Sequence, residues 1–309
     1  MTAPVETRPA SSSGGRPAGP GLSRDVIETK VFGVLRWVVI IGLMLVTLFP
    51  FYYMFILSIR PLESLLRDPG SLVIPFAELN WSAYTSIMAS QADGGHGFLA
   101  FMGNSAMVAL GTVFISLLVA IPGSYAISRL NFFGRRQVSG LFLAVYLFPS
   151  ILLAIPLFTF FTRVGLRGQL VALLIVYVAQ VIPVTIYMLR NYFDTIPTSL
   201  EEAAALDGCS RLGVLRRISL PLAMPAIVSN GLFVFMIAWN EFLFALLFLV
   251  NSRDNWTVSL GLSQLAGSIE VPTTVLMAGS VILTLPIIII FFAAERLLTE
   301  GLTAGAEKG

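Results

Sequence analysis

The chain has 309 residues, of which 56% are hydrophobic and 12% charged, and its mean hydropathy is +0.86. A soluble domain carries about 25% charged side chains, so a soluble enzyme is excluded first. The net charge of +2 is too balanced for a nucleic-acid binder, and a single cysteine, Cys209, with a single histidine, His96, supports neither a disulfide framework nor a zinc or other metal site.

Residues 1–30 read as a flexible cytoplasmic tail. Pro, Gly, Ser and Ala dominate up to Gly21, and Arg24, Lys30 and Arg36 precede the first apolar run. A cleavable signal peptide would place a short apolar run near the start. Here the run comes late and is long, so the first span is expected to stay as a helix. Six runs reach the length of about 20 helical residues that crosses a hydrocarbon core: Trp37–Ile59, Asn104–Ile127, Val138–Thr162, Gln169–Leu189, Ala226–Val250 and Thr274–Ala294. Pro50, Pro122, Pro149, Pro156, Pro183 and Pro286 fall inside them, which membrane helices tolerate when neighbours satisfy the freed carbonyls. The expected fold is an all-α membrane protein of six transmembrane helices over residues 31–294, with a C-terminal tail at 295–309.

Orientation follows from Lys and Arg, which cytoplasmic segments retain. With the N-terminus inside, fourteen lie on the cytoplasmic side and five (Arg60, Arg67, Arg163, Arg167 and Arg253) on the other, so both termini are expected in the cytoplasm. The outer connections are then Arg60 to Gly103, a short one around Arg163 to Gly168, and Asn251 to Thr273.

The inner connection, residues 190–225, is long and helical in composition. Pro197 precedes two overlapping capping-box patterns, Ser199 with Glu202 and Thr198 with Glu201, so a helix is expected to begin there. Gly208 can take a left-handed conformation and end it. A second short helix is expected from Ser210 to Arg217, closed by Leu220-Pro221. Two helices around a glycine corner form a knuckle; composition alone favours a solvated helical loop.

The spacing is more specific. Glu202-Ala203-Ala204, then Asp207-Gly208, then Ile218-Ser219-Leu220-Pro221 after nine residues resembles the EAA loop of inner-membrane permeases of ATP-binding-cassette importers, in its place between the fourth and fifth of six spans. Trp239-Asn240-Glu241-Phe242 and the tail Gly301 to Gly309 are similar to the second permease of the carbohydrate, maltose-type group; the tail departs from that pattern at Glu307. The resemblance covers most of the chain from the first span onward. It implies a carbohydrate permease that pairs with a second, distinct permease subunit, sits on two ATP-binding-cassette ATPase subunits and receives sugar from an extracytoplasmic binding protein. It implies a bacterial-type inner membrane location, no cofactor on this chain, and ATP and Mg2+ on the partner ATPases. Glu202, Ala203, Ala204, Asp207, Gly208, Leu220 and Pro221 would then couple to the ATPase. The loop Asn251 to Thr273 would approach the binding protein, and the tail around Gly301 to Gly309 could reach the ATPases.

Glu241 is the one formal charge inside an expected span, which makes it a functional-site candidate. With Trp239 and Asn240 it could line a sugar path, the aromatic face packing on a pyranose ring; equally, it could be bonded to a neighbouring helix and fix packing. Consecutive helical residues point about 100° apart, so Asn240 and Glu241 cannot both face one narrow pore. Asn104, Tyr146 and Gln180 are weaker path candidates. Trp37, Trp81 and Trp256 read as interface anchors or loop residues, His96 as a flexible loop residue, Cys209 as a small packing residue, and the small residues of Ala120 to Ala126 as close helix contacts. Neither Lys30 nor Lys308 stands in a P-loop, so the chain is not itself an ATPase. A gradient-driven secondary transporter is the alternative; one intramembrane charge and no convincing internal repeat weigh against it. A membrane-embedded enzyme lacks clustered nucleophiles, acids or ligands.

Overall fold

In the computed structural model the backbone is described for residues 24–306 and the side chains for residues 30–295. Most of the expected N-terminal tail and the last three residues lie outside the described residues, and residues 301–306 contribute backbone alone. Every element among the described residues is helical.

Among the described residues the chain divides into two units, one ending at Tyr52 and the other beginning at Tyr53. In the first, helix α1 (Arg24–Ser58) runs through Pro50 without a break. Its side chains from Val31 to Tyr52 are mostly exposed and apolar, Trp37 included. A helix apolar on every side belongs in lipid or against another membrane helix.

The second unit begins with the end of α1, then α2 (Leu62–Arg67), α3 (Ser82–Met88) and α4 (Phe98–Arg129). Arg60, expected in an open loop, is 5% exposed. Its guanidinium donates to the Ser64 hydroxyl at 3.2 Å and to the carbonyls of Ser71 at 3.1 Å, Ser64 at 3.1 Å and Asp68 at 2.7 Å, folding that stretch of chain around one charge. Helix α4 packs along α7 (Leu170–Thr195). Gly111 faces Leu174 and Gly123 faces Ile186, so the two helices run in the same direction. The buried α4 residues Thr112, Ser116, Ala120 and Ser124 are small and allow the close approach that drives association inside a membrane.

Two of the six expected spans differ from straight helices. The third bends by 83° between α5 (Arg135–Tyr146) and α6 (Ser150–Arg163). Pro149 lies between them, lacks the N–H a continuing helix needs, and pushes the residue before it out of the helical region. The fifth run is interrupted: α10 (Met224–Asn240) ends at Glu241, and α11 (Leu243–Leu249) starts anew. The helix α9 (Arg211–Leu222) meets α10 at 75°. After α12 (Val258–Ala266) the chain closes with α13 (Thr273–Ala306), longer than the expected last span.

Two hydrophobic clusters hold these helices. The larger is rich in aromatic residues, among them Phe98, Phe101, Tyr177, Phe235, Trp239 and Phe248. Trp256 belongs to it rather than to an interface: its indole N–H donates to the Leu249 carbonyl at 3.0 Å, and its ring lies 5.6 Å from that of Phe101. The smaller, at the knuckle end of α4 and α7, includes Ala120, Ile127, Leu189, Phe193, Ala223 and Ile227.

Candidate functional site

The knuckle starts at Pro197, which stands just ahead of α8 (Thr198–Leu206) in an extended conformation. Neither capping box forms, since no side chain caps this helix. The C-terminal end follows the expectation. Gly208 has φ +85°, its N–H reaches the Ala205 carbonyl at 3.1 Å, and the Cys209 N–H reaches Ala204 at 3.0 Å. These two bonds are the pair of the Schellman motif. A Cβ on Gly208 would meet nothing within 4 Å, so backbone conformation alone asks for glycine there.

Helix α9 opens with a formed cap, the Ser210 hydroxyl accepting from the Gly213 N–H at 3.2 Å. It does not stop at Leu220-Pro221. A π segment over Leu215–Ser219 leads into a last turn, Leu220–Leu222, that contains Pro221; inside a continuing helix proline's missing N–H removes a backbone bond to the preceding turn. The helix ends one step later, at Ala223.

This path sorts the expected coupling residues. Glu202, Ala203, Asp207, Gly208 and Pro221 are exposed, while Ala204 is buried and Leu220 packs on the smaller core cluster. Leu206 and Leu212 are 90% and 73% exposed and make the tip apolar. Cys209, beside the corner, is half-buried.

Glu201, the residue before the motif, points inward. Its carboxylate accepts from Arg129 Nε at 3.0 Å, from the Ser219 hydroxyl at 2.9 Å and from the Tyr125 hydroxyl at 3.2 Å. Arg129 also donates to the Ile196 carbonyl at 2.7 Å, and neighbouring Ser128 donates to Asp194 at 2.5 Å. The Arg129 and Glu201 side chains are 10% and 11% exposed. The signal that could have found this anchor is the doubled acid: on a helix, Glu201 must point about 100° away from Glu202, toward the helices when Glu202 faces solvent.

The intramembrane set separates as well. Glu241 caps α11, its carboxylate accepting from the N–H groups of Phe244 at 2.9 Å and Ala245 at 3.3 Å. The same carboxylate accepts from the buried Tyr177 hydroxyl at 2.5 Å, and the Glu241 carbonyl accepts from Ser259 at 2.6 Å. A carboxylate at a helix N-terminus also meets the positive end of the helix dipole. This is the packing reading of Glu241. Trp239 is 2% exposed, stacks on Phe235 and donates to the Leu283 carbonyl at 3.0 Å; as a core residue it offers no free face to a sugar ring. Asn240 is exposed, its amide nitrogen bonded one turn back to Met236. Asn104 ties α4 to the loop before α12, donating to the carbonyls of Asp254 and Trp256 at 2.8 and 3.0 Å. Tyr146 is exposed near the bend after α5, and Gln180 is half-buried on α7.

Instead of lying in a loose loop, His96 sits in a bonded turn, its N–H on Ser86 at 3.1 Å and its carbonyl facing Arg253 at 3.4 Å. Burial, then the positive charge of Arg253, lowers its pKa from the ordinary 6.5.

Residues 112–303 match the family described as binding-protein-dependent transport system inner membrane component. The chain is 37% identical to the inner membrane ABC transporter permease protein YcjP of Escherichia coli, over 86% of this chain and 93% of that protein. It is 38% identical to the trehalose/maltose transport system permease protein MalG of Thermococcus litoralis, over 89% and 97%. The trehalose transport system permease protein SugB of Mycobacterium tuberculosis is 34% identical over 85% and 93%. A chain of a crystallised bacterial ABC transporter involved in import of the acidic polysaccharide alginate shares the fold, with a TM-score of 0.73 at 24% identity over 90% of this chain and 99% of that one.

Proposed function

The chain belongs to the family of binding-protein-dependent transport system inner membrane components, and from that premise we propose that it is one of two permease subunits of an ATP-driven sugar importer. Two ATPase subunits, carrying ATP and Mg2+, would bind at the knuckle, and an extracytoplasmic binding protein would deliver the sugar. Residues 190–225 would be the coupling loop, and both termini would lie in the cytoplasm. Names of relatives that specify trehalose, maltose and diacetylchitobiose support a disaccharide or short oligosaccharide as cargo.

The observation that carries this reading is the knuckle itself. A glycine corner closed by its own backbone bonds presents Glu202, Asp207 and two bare leucines, Leu206 and Leu212. Such a rigid apolar knob with acidic flanks suits a groove on a partner and can carry a rigid-body movement into the helices behind it, giving alternating access. Of the path candidates, exposed Asn240 and Tyr146 are the ones we assign to the passing sugar, while Glu241 and Trp239 shape the wall behind them.

Gentle purification of the tagged chain from native membranes, with identification of its companions by mass, tests the assignment. A second permease, a P-loop ATPase and a sugar-binding protein are expected. A homo-oligomer alone, with ion-dependent uptake, would replace the importer by a gradient-driven transporter. That alternative would need a free intramembrane carboxylate, whereas Glu241 holds Tyr177 and two backbone N–H groups.

A further inference from the structure

The knuckle must be joined to the membrane helices firmly enough that pushing on one moves the other. Helices α8 and α9, of 9 and about 12 residues, are too short to be stiff on their own, and each leaves its neighbour through a single bend. The smaller core cluster grips the loop through Ile196, Ala223 and Leu220. Apolar contacts of this kind resist separation but allow sliding. A directional bond at the same place would fix the angle.

We propose that Glu201 is that bond, a positioning residue that locks the knuckle to α4 and so passes partner movement into the membrane; the inference rests on the importer reading above. One carboxylate holds three donors from two separate segments: Arg129 and Tyr125 at the end of α4, and Ser219 in the π segment of α9. Because Glu201 itself lies on α8, the cluster crosslinks three helices through one point. Arg129 extends it to a fourth, through the Ile196 carbonyl that follows α7. The π segment has a role here. Its extra residue per turn accompanies the turning of Ser219 into the protein, where it is fully buried on Glu201, while Arg216 and Arg217 stay exposed. Glu202 and Glu201 thus divide the work of two adjacent acids, the first facing outward and the second bolting the loop to the helix bundle.

The test uses the assembled complex in lipid nanodiscs. Spin labels are placed at Ser199→Cys on α8 and Asn131→Cys just beyond α4, both exposed positions, in a Cys209→Ser background. Distances are measured with and without ATP plus vanadate. With Glu201 intact a single narrow distribution is expected in both conditions. Glu201→Ala and Arg129→Ala should broaden it, and Arg129→Lys, which restores the charge, should narrow it again. In parallel, ATP hydrolysis is measured with and without the binding protein, isolated from cells with whatever sugar it has captured. Stimulation by the binding protein should fall at least about fivefold in Glu201→Ala, the lower range of allosteric coupling, while basal hydrolysis persists. An unchanged narrow distribution or undiminished stimulation in Glu201→Ala overturns the proposal. Should Glu201→Ala fail to assemble, Glu201→Gln, equal in shape but uncharged, answers the same question. Failure of the unmutated chain to bring an ATPase with it would refute the importer reading instead, and the label distances would still decide whether Glu201 fixes the loop.

Discussion

Tyr177 on α7 donates its hydroxyl to Oε2 of Glu241 at 2.5 Å, across the point where the fifth apolar run breaks. The phenol is buried and the carboxylate half-buried, and the bond joins two helices that are far apart in sequence. It turns the one charge expected inside a span into a joint.

Glu241→Ala removes acceptors from two N–H groups and one phenol at once. A buried polar group left unsatisfied costs about 1–3 kcal/mol, so a loss of about 2–4 kcal/mol is expected, read as a lower unfolding temperature in detergent. Tyr177→Phe removes one donor and leaves the cap on α11, so its loss should be about 1 kcal/mol. Equal losses in the two variants would contradict the capping role.

At the knuckle corner the requirement is φ rather than space. Gly208→Ala must hold an L residue in the left-handed region at about 1–2 kcal/mol, and the corner should survive. Gly208→Pro cannot, because proline fixes φ near about −65° against +85° here. Gly208→Pro and Glu202→Lys are expected to leave the chain inserted in the membrane but to separate ATP hydrolysis from sugar uptake. Normal uptake in both would refute the coupling assignment.

Arg60 should govern the order of the segment it encloses. Removing its four hydrogen bonds in Arg60→Ala takes the charged donor from three carbonyls; those of Ser64 and Asp68 keep a backbone N–H, and that of Ser71 loses its side-chain donor. Limited proteolysis and amide exchange should both accelerate between residues 61 and 75, with helix α4 unaffected. Arg60→Lys supplies fewer donors in one plane and should give an intermediate rate.

The turn around His96 should loosen in acid. Its pKa is lowered in the fold by burial and by Arg253, so the neutral ring is the favoured form. The contribution is complete above about pH 6.5 and is lost as pH falls from there through the lowered folded value. Amide exchange of Gly95 to Gly97 is expected to rise over that range, and His96→Asn should abolish the dependence.

Much of this was readable from residue order. The runs of apolar residues located the helices, and the glycine at 208 located the corner, because both signals are local. The breaks were not. Pro149 stands at a break in its span while Pro50, Pro122, Pro183 and Pro286 lie inside continuous helices, so a proline in an apolar run does not by itself say whether the helix is interrupted. At the interruption, Glu241 is bonded to a tyrosine 64 positions away, a partner that no local pattern announces. Of the two overlapping capping patterns, the one pairing Thr198 with Glu201 misled for a related reason. Arg129 and Tyr125 claim Glu201 from a distant helix, and tertiary partners outcompeted the local motif. Trp256 does lie in a loop, but its burial was not legible from its type, since an indole whose N–H finds a buried carbonyl serves as core as well as at a membrane surface.

The corner at Gly208 closes on bonds within its own backbone and touches no other side chain at the glycine. Its shape therefore does not need a partner to create it. A preformed surface loses little conformational freedom when it docks, so on the importer reading proposed above a companion subunit would release the knuckle and find it again turn after turn without any refolding between cycles. Wear on such a mechanism would fall on the contact surface, and changes at Leu206 or Leu212 should alter how long the companion stays rather than what the knuckle looks like when it leaves.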